Sequence, residues 1–395
     1  MLKDLVRENP DLVQLLEVGF SVKGQPILGV SVTSGVLNRT RLRPMVKYIG
    51  NIHGNEPVGR ELLVHLLQVL VRGYRQREPR IFNLLEHTNI TIIPTMNPDG
   101  FDRSKEGKCF GGDYKTGRYN EGRKDLNRDF PTWRDTNKSL NQNMKGRQPE
   151  TKALMKLITS EPWVLSANFH GGAVVASYPY DDYRSTRQSG VSKSRDHSFF
   201  KHLAETYANN HQTMRDNSKC RSWNFKNGVT NGADWYALVG GMQDFNYLFS
   251  NGMEITLEVS CCKYPKKDHL NKLWEENRDS LFAYIEQVHR GFKGLVLRNQ
   301  IPVSDAIVQV YNLQSGEQTR DVHSSELGEY WKLLLPGQYR IRGVKKDCSR
   351  DGFMYSSDFI QVNVTGLQPL VRGDLVLDKR EECTKSKNEE EWIKL

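Results

Sequence analysis

A short polar run separates an apolar strand from an amphipathic helix, and it constrains this chain more than any other feature. Met45 to Gly50 reads as a buried strand, and His53-Gly54-Asn55-Glu56 follows it closely. Apolar residues then recur at helical spacing, at Val58, Leu62, Leu66 and Val69. A His and a Glu at such a junction can face one point, which suits a zinc ion. A site with three protein ligands keeps one position open for water, so we expect a further ligand elsewhere.

Apolar runs alternate with helical patterns along most of the chain. The strand-like runs are Met45 to Gly50, Ile90 to Pro94, Val164 to Phe169 and Met253 to Val259. The helical patterns lie near residues 57–72, 150–160, 196–210 and 269–290. This alternation predicts an α/β domain in which helices flank a mixed central sheet. Two polar stretches, 97–147 and 171–195, have the length of functional loops.

Beyond Gly291 the pattern changes to short alternating strands. They include Gly294 to Leu297, Ile307 to Tyr311, Tyr330 to Leu335, Gln338 to Val344 and Phe359 to Val364. Turn residues punctuate them, which is typical of a β-sandwich of about 80 residues. We therefore expect a large domain over 1–292 and a small all-β domain over 293–378. The charged segment 379–395 lacks strand periodicity, so we expect a flexible tail or a linker there.

Composition restricts the partners of the chain. The 395 residues are 37% hydrophobic and 26% charged, with a formal net charge of +9. That charge could attract nucleic acid or another polyanion, but the chain has no long basic run and no recognised nucleic-acid motif. We therefore expect no nucleic-acid partner. No run approaches the roughly 20 apolar residues of a membrane span. The best candidate, Leu62 to Val71, is interrupted by His65 and Gln68.

Cysteines and sequons bear on the cellular compartment. Charges occupy Met1 to Glu8, where a secretory signal needs an apolar core. Cys220 is expected to pair with Cys261 or Cys262, and the sequence leaves that choice open. The other cysteines are Cys109, Cys348 and Cys383, and Asn-x-Ser/Thr sequons begin at Asn38, Asn89, Asn137 and Asn363. Sequons and paired cysteines favour the secretory pathway or the extracellular space, with the cytoplasm as the alternative.

His170 is the candidate for the missing metal ligand. It follows the strand Val164 to Phe169 and precedes Gly171-Gly172. Ligands collect at strand ends of an α/β sheet, and two ligands are already expected at a comparable strand end. The histidines without such a setting are His65, His87, His197 and His202.

Two further segments carry polar residues that need an explanation. Arg118 to Pro131 is dense in Arg and Asn, and a fixed guanidinium beside an amide can bind a carboxylate such as a peptide C-terminus. From the residues alone it could equally be a solvated loop. The apolar strand Glu254 to Val259 carries Glu254 and Glu258, and a buried carboxylate is costly without a partner.

Five motifs in one order closely resemble those of the zinc metallocarboxypeptidases. They are His53-Gly54-Asn55-Glu56, Met96-Asn97-Pro98-Asp99-Gly100, Asp125-Leu126-Asn127-Arg128, His170-Gly171-Gly172 and Ile255-Thr256-Leu257-Glu258-Val259-Ser260-Cys261-Cys262. Within that family the chain is most similar to the N/E, or regulatory, subfamily, and carboxypeptidase D catalytic domains look nearest. The similarity runs from about Val18 to Asp378, because this subfamily appends a transthyretin-like β-sandwich.

The resemblance implies which residues hold the metal and move the proton. His53, Glu56 and His170 would bind one Zn²⁺. Glu258 would be the general base and acid. Glu254 lies on the same strand face and competes for that role from the residues alone, but the family motif favours Glu258.

The resemblance also implies how a peptide C-terminus is held. Asn127 and Arg128 would bind the terminal carboxylate, and Tyr236 would close over the substrate. Arg118 would polarise the scissile carbonyl, with Arg123 as the nearby alternative.

Specificity and metal support follow from the same resemblance. Asp181 matches the acidic residue that gives this subfamily its preference for C-terminal Lys and Arg, and Asp182 is an adjacent candidate. Gln243 matches a polar residue that lines the same pocket. Asp125 matches a carboxylate that orients the His53 ring, a support that zinc ligands commonly need.

The resemblance therefore implies a zinc-dependent exopeptidase. It would remove single C-terminal residues, preferentially Lys or Arg, from peptides and proteins by attack of a metal-activated water. Its partners would be substrates with basic C-terminal residues, and we expect a monomer. The alternative is a catalytically silent protein that binds zinc or peptide, since the subfamily includes members that lost their active residues.

Overall fold

The chain forms two compact units that divide after His289. The computed structural model describes residues 1–183, 190–216, 220, 223–366 and 370–383. Our predicted boundary lay slightly later, at 292, but the first strand of the second unit already begins at Phe292. None of the helices in these ranges combines the length and the apolar character that a membrane span requires.

Eight strands of the first unit form one sheet. Their bounds are Val13–Phe20 (β1), Pro26–Val32 (β2), Met45–Gly50 (β3), Asn89–Ile93 (β4), Trp163–His170 (β5), Ala173–Tyr178 (β6), Val229–Asn231 (β7) and Met253–Ser260 (β8). The order across the sheet is β1-β2-β4-β3-β5-β8-β6-β7. The central strands β4, β3, β5 and β8 run parallel, whereas β1, β2 and β6 introduce antiparallel pairs. The predicted mixed sheet is confirmed.

Helices accompany this sheet. Their bounds are Leu2–Glu8 (α1), Val58–Arg75 (α2), Pro79–His87 (α3), Pro98–Arg103 (α4), Leu140–Met144 (α5), Pro149–Ser160 (α6), His197–Asn210 (α7), Gly232–Trp235 (α8), Met242–Phe249 (α9) and Leu270–Ile285 (α10). The long helix predicted to reach residue 290 ends at Ile285 and continues as a 3-10 turn over Glu286–His289.

Central strands are apolar because both faces of the sheet are covered. Every residue of β3 and of β5 is buried, as expected of parallel strands inside an α/β domain. Helix α2 packs close to β5 at Gly59, where an added Cβ would lie 2.3 Å from the Cβ of Phe169. Only glycine allows this approach, so the start of α2 lies directly against the strand that ends in His170.

The second unit consists of strands only among its described residues. Their bounds are Phe292–Arg298 (β9), Ile301–Pro302 (β10), Ile307–Asn312 (β11), Val322–His323 (β12), Glu329–Lys332 (β13), Gly337–Lys346 (β14), Phe353–Ser356 (β15), Ile360–Val364 (β16), Val371–Arg372 (β17), Leu375–Val376 (β18) and Lys379–Glu382 (β19). One sheet is built on β9 and the other on β11 and β14. Residues from both sheets share one apolar core, which includes Phe292, Val308 and Ile341.

Two predicted irregular segments contain regular structure. The prediction of a flexible tail or linker from residue 379 is wrong for its first residues, because β19 pairs with β15 and Cys383 is bonded to Cys348. All four residues of β19 are exposed, so this strand has no apolar period to read. The rest of that tail, from residue 384, lies outside the described residues. Strand β6 likewise lies within the stretch 171–195 that was predicted as a loop.

Two more disulfides join distant segments to the end of β8. Cys220 is bonded to Cys261, which selects between the two partners that the sequence left open. Cys109 is bonded to Cys262. The segment that follows β8 is therefore linked covalently to two loops of the first unit.

Candidate metal centre and substrate cleft

Three buried side chains meet at the carboxyl ends of β3 and β5. His53 and Glu56 lie between β3 and α2, His170 is the last residue of β5, and each is 2% exposed. His53 Nδ1 lies 3.1 Å from His170 Nδ1, and each of these atoms lies 3.0 Å from Glu56 Oε2. Zinc bonds of about 2.0–2.2 Å in tetrahedral geometry separate ligand atoms by roughly 3.4 Å. The three donors therefore fit one zinc ion.

The backbone between β3 and α2 is fixed by Asn51 and Gly54. Asn51 has a φ of 58°, and its side-chain amide donates to the carbonyls of His53 at 2.7 Å and Gly54 at 2.9 Å. A Cβ on Gly54 would lie 2.1 Å from the carbonyl carbon of Gly100. The turn therefore requires glycine, and it sets His53 and Glu56 side by side.

Asp125 contacts the nitrogen of the His53 ring that is not directed at Glu56 and His170. Its Oδ1 lies 3.0 Å from His53 Nε2 and accepts from the backbone N–H of Asn127 at 3.0 Å. Its Oδ2 accepts from Arg118 Nε at 3.0 Å. Burial opposes ionisation here, yet the His53 ring and the Arg118 guanidinium hold the pKa of Asp125 well below its usual range. A carboxylate on Nε2 leaves Nδ1 of His53 to face the other two donors.

The second oxygen of Glu56 is held by two cations. Oε1 accepts from Arg118 Nη1 at 3.2 Å and contacts the ammonium of Lys263. Lys263 also donates to the carbonyl of Gly171 at 2.9 Å. Despite burial, His53 and Lys263 hold the pKa of Glu56 well below its usual range. Sequence reasoning missed Lys263, whose only signal is its place directly after Cys261-Cys262.

Glu254 and Glu258 have different surroundings on β8. Glu254 is fully buried, contacts the Ser166 hydroxyl and accepts from Asn168 Nδ2 at 3.0 Å. It also interacts electrostatically with Lys47; burial lowers the pKa of Lys47 to about 8, and the Glu254 carboxylate opposes that shift. Glu254 therefore belongs to a polar network inside the sheet.

Glu258 instead lines a cleft that His53, Glu56 and His170 also line. Its Oε2 is buried without a hydrogen-bond partner among the described residues. Burial, together with the nearby Glu56 carboxylate, raises the pKa of Glu258 to about 6, although His170 and Lys263 oppose the shift. A carboxylate in this state can accept and release a proton near neutral pH.

The cleft has a volume of about 210 Å³ and gathers most of the predicted site. The predicted residues that line it are His53, Glu56, Arg118, Asn127, Arg128, His170, Asp181, Tyr236 and Glu258. Arg123 and Asp182, which the sequence left as alternatives to Arg118 and Asp181, lie outside this cleft. Arg123 stacks over the Tyr114 ring, 5.0 Å from its centroid, and Asp182 lines a separate small cavity.

A buried carboxylate marks one part of this cleft. Asp181 is 5% exposed and accepts from Gln243 Nε2 at 2.6 Å, and its backbone N–H donates to Asp244 at 2.9 Å. Burial, with repulsion from Asp244, raises the pKa of Asp181 well above its usual range. A Cβ on Gly232 would lie 1.8 Å from Asp181 Oδ1, so glycine leaves the room that this side chain occupies. Sequence reasoning missed Asp244 and Gly232.

Asn127 and Arg128 sit on a short 3-10 turn. The turn spans Leu126–Arg128 and is capped by the Asp125 side chain. Asn127 Oδ1 accepts from the backbone N–H of Met242 at 2.9 Å, where α9 begins. Arg128 is exposed and donates to the Asn127 carbonyl at 2.9 Å. Asp125 thus positions the turn and the His53 ring together.

Comparison with known proteins agrees with this geometry. Residues 1–280 match the family model described as zinc carboxypeptidase. The chain belongs to the zinc carboxypeptidase family. Its members are hydrolases, the cofactor is zinc, and His53, Glu56 and His170 form a group that could bind it. The predicted resemblance is confirmed.

Relatives and a solved structure extend the comparison. Carboxypeptidase D of Drosophila melanogaster is 44% identical over 85% of this chain, which spans only 24% of that protein. Carboxypeptidase M of Mus musculus is 42% identical over 86% of this chain, which spans 75% of that protein. The crystal structure of carboxypeptidase A from Helicoverpa armigera is 20% identical, with a TM-score of 0.56 over 72% of this chain and 70% of that one. This last likeness shows the fold.

We expect substitutions of the two carboxylates on β8, Glu254 and Glu258, to change stability by different amounts. Glu254→Gln removes the charge that faces buried Lys47, so we expect the free energy of unfolding to fall by about 3 kcal/mol. Glu258→Gln replaces a carboxylate whose buried Oε2 has no hydrogen-bond partner among the described residues with a neutral group of the same shape, so we expect a change within about 1 kcal/mol. Urea unfolding of both metal-free variants at pH 7 measures the difference. Equal losses in the two variants would contradict the assignment of Glu254 to a structural network.

Proposed function

We propose that this chain removes single C-terminal residues, preferentially Lys or Arg, from peptides and proteins. The observation that carries this proposal is one cleft lined by the metal group, by Glu258 and by the buried carboxylate of Asp181. A catalytically silent peptide-binding protein is the alternative, but the charged groups that the reaction needs all line this cleft.

Glu258 moves the proton in this proposal. His53, Glu56 and His170 would hold the zinc ion, which would supply a Lewis acid able to acidify water and polarise a carbonyl. Glu258 accepts the proton of the attacking water and returns it to the leaving amine. Its pKa of about 6 makes it mostly ionised at neutral pH yet a competent acid afterwards.

Arginine and amide groups position the substrate. Arg118 is held by Asp125 and Glu56, so its guanidinium can donate to the scissile carbonyl oxygen as charge develops there. Asn127 and Arg128 bind the terminal carboxylate, since an arginine next to an amide matches its two oxygens. Tyr236 is 43% exposed at the cleft and closes over the bound residue.

Asp181 and Gln243 set the preference for the terminal residue. A guanidinium or ammonium group in this pocket would stabilise the ionised form of Asp181 against the burial and the Asp244 repulsion that raise its pKa, whereas an apolar side chain would not. Gln243 fixes the Asp181 carboxylate and accepts from the Thr256 hydroxyl at 2.9 Å.

We also propose that the chain acts in the secretory pathway or outside the cell, as a monomer. All six cysteines form disulfides, which persist in oxidising compartments. A single chain contributes all of the residues assigned to the proposed site, so no partner subunit is needed to complete it.

Loss of the proton carrier tests the mechanism. Glu258→Gln should lower kcat for release of C-terminal arginine by at least about 100-fold, because general acid–base catalysis contributes that much. Zinc content, measured by atomic absorption, should stay near one ion per chain. A chelator should abolish arginine release by the unmodified chain, and added zinc should restore it. Near-normal kcat in zinc-loaded Glu258→Gln, or chelator-resistant cleavage, would refute the mechanism.

Removal of the pocket charge tests the specificity. Asp181→Asn should lower kcat/KM for peptides ending in Arg by at least about 100-fold. The guanidinium of the substrate would then be buried without an opposite charge, which costs about 3 kcal/mol or more. Cleavage of the same peptide ending in Leu should not fall. Asp182→Asn is the matched control, because its side chain lines another cavity and both rates should stay within about twofold. Equal losses for Arg and Leu peptides would contradict a specificity role.

Exposure predicts which sequons carry glycans after secretion from a eukaryotic cell. Asn38, Asn137 and Asn363 are exposed, so we expect N-glycans on all three. Asn89 begins β4 and its sequon ends in Thr91, which is 1% exposed, so we expect no glycan there. Peptide mass spectrometry before and after enzymatic glycan removal measures each site. Occupied Asn89 with the other three bare would contradict this assignment.

A further inference from the structure

Four aromatic side chains form a cluster at the proposed site, and no step of the mechanism accounts for most of it. The members of this aromatic cluster are Trp223, Phe225, Trp235 and Tyr236. Trp235 is its centre, with ring centroids 5.5 Å from Trp223, 5.0 Å from Phe225 and 5.0 Å from Tyr236. Trp223 and Phe225 are stacked, 6.1 Å apart with planes inclined by 16°. Such mutual packing holds the rings in fixed positions.

The cluster rests on the sheet directly beside Glu258. Phe225 and Trp235 pack against Ala173 and Val175 of β6. Val175 is the register partner of Glu258 on β8, and directly opposed residues in an antiparallel pair share one face of the sheet. The aromatic cluster therefore stands on the same face as the proposed general base, next to the bond that is cut.

Three members of the cluster expose apolar surface to the cleft. Trp223, Trp235 and Tyr236 all line it, and Trp223 is 44% exposed. A rigid, half-exposed indole that is supported from behind is typical of a surface that becomes covered on binding. Its position makes a peptide substrate the ligand that would cover it.

We propose that Trp223 and Trp235 form an apolar subsite for the penultimate residue of the substrate, favouring aromatic or branched apolar side chains there. This inference rests on the proposed function. Asp181, held by Gln243 from behind, lines the pocket assigned to the terminal side chain, and Asn127 and Arg128 are assigned to its carboxylate. The residue on the amino side of the scissile bond passes Glu258 next, and the wall beside Glu258 is aromatic. Burial of an apolar side chain against two indoles is then gained only by substrates that carry one.

Two matched peptides test the subsite. We expect kcat/KM for arginine release from acetyl-Gly-Gly-Phe-Arg to exceed that from acetyl-Gly-Gly-Gly-Arg on the order of tenfold. Trp223→Ala should reduce this ratio to about two or less, mainly through the Phe peptide. Trp223→Leu retains apolar bulk and should recover part of the ratio. Phe20→Ala removes an exposed aromatic from β1, at the opposite edge of the sheet, and should leave the ratio unchanged.

The outcomes separate this subsite from the proposed function. A ratio near one in the unmodified chain, or equal losses for both peptides in Trp223→Ala, would overturn the subsite. Calorimetric titration of the same two peptides into zinc-loaded Glu258→Gln measures the preference without turnover. Suppose that the unmodified chain cleaves neither peptide, but that Glu258→Gln binds the Phe peptide about tenfold more tightly than the Gly peptide. If adding Trp223→Ala to Glu258→Gln abolishes that difference, the proposed function fails and the subsite stands.

Discussion

Parallel hydrogen bonding between three central strands is the constraint on which the site depends. Strand β5 pairs with β3 on one side and with β8 on the other, and Gly50 lies opposite Phe169 while His170 lies opposite Glu258. Since side chains alternate along a strand, a slip of one residue would turn Glu258 away from the cleft. The register of these strands therefore determines which of their side chains face the site. Gly59 reinforces it by allowing α2 to approach β5.

Around this frame, charged groups are arranged in opposed pairs. The two oxygens of Glu56 face in different directions, one toward the histidines and the other toward Arg118 and Lys263. Asp125 links Arg118 to the His53 ring. Because each charge contacts its opposite, the group can stay buried before substrate arrives. Glu258 differs, because its buried Oε2 has no hydrogen-bond partner in the part of the chain that the structure describes, which suits its proposed role as proton carrier.

The sequence predicted the parts of the fold that have strong periodicity or a known motif. The all-buried strands β3 and β5 and the long helix α2 were found within a few residues, because their apolar patterns are continuous. Strand β19 was missed because a fully exposed edge strand has no apolar period. The sequence also could not separate the surroundings of Glu254 from those of Glu258, since two residues on one strand face look alike until their neighbours are known. Lys263, Lys47 and Asp244 escaped for the same reason, as each meets its partner across a long separation in sequence.

The neighbouring residues Cys261 and Cys262 are bonded to two different loops, and this has a consequence for how the cleft can vary. Both loops are anchored at the end of the strand that carries Glu258, so either can change in length or composition while its anchor stays in place. Trp223 lies just beyond one anchor, in a loop, whereas His53, His170 and Glu258 belong to the sheet or its strand ends. The architecture thus separates the proposed metal ligands and Glu258, which the sheet positions, from a loop surface beside them, so the residues proposed to contact the substrate can vary without moving the proposed catalytic groups.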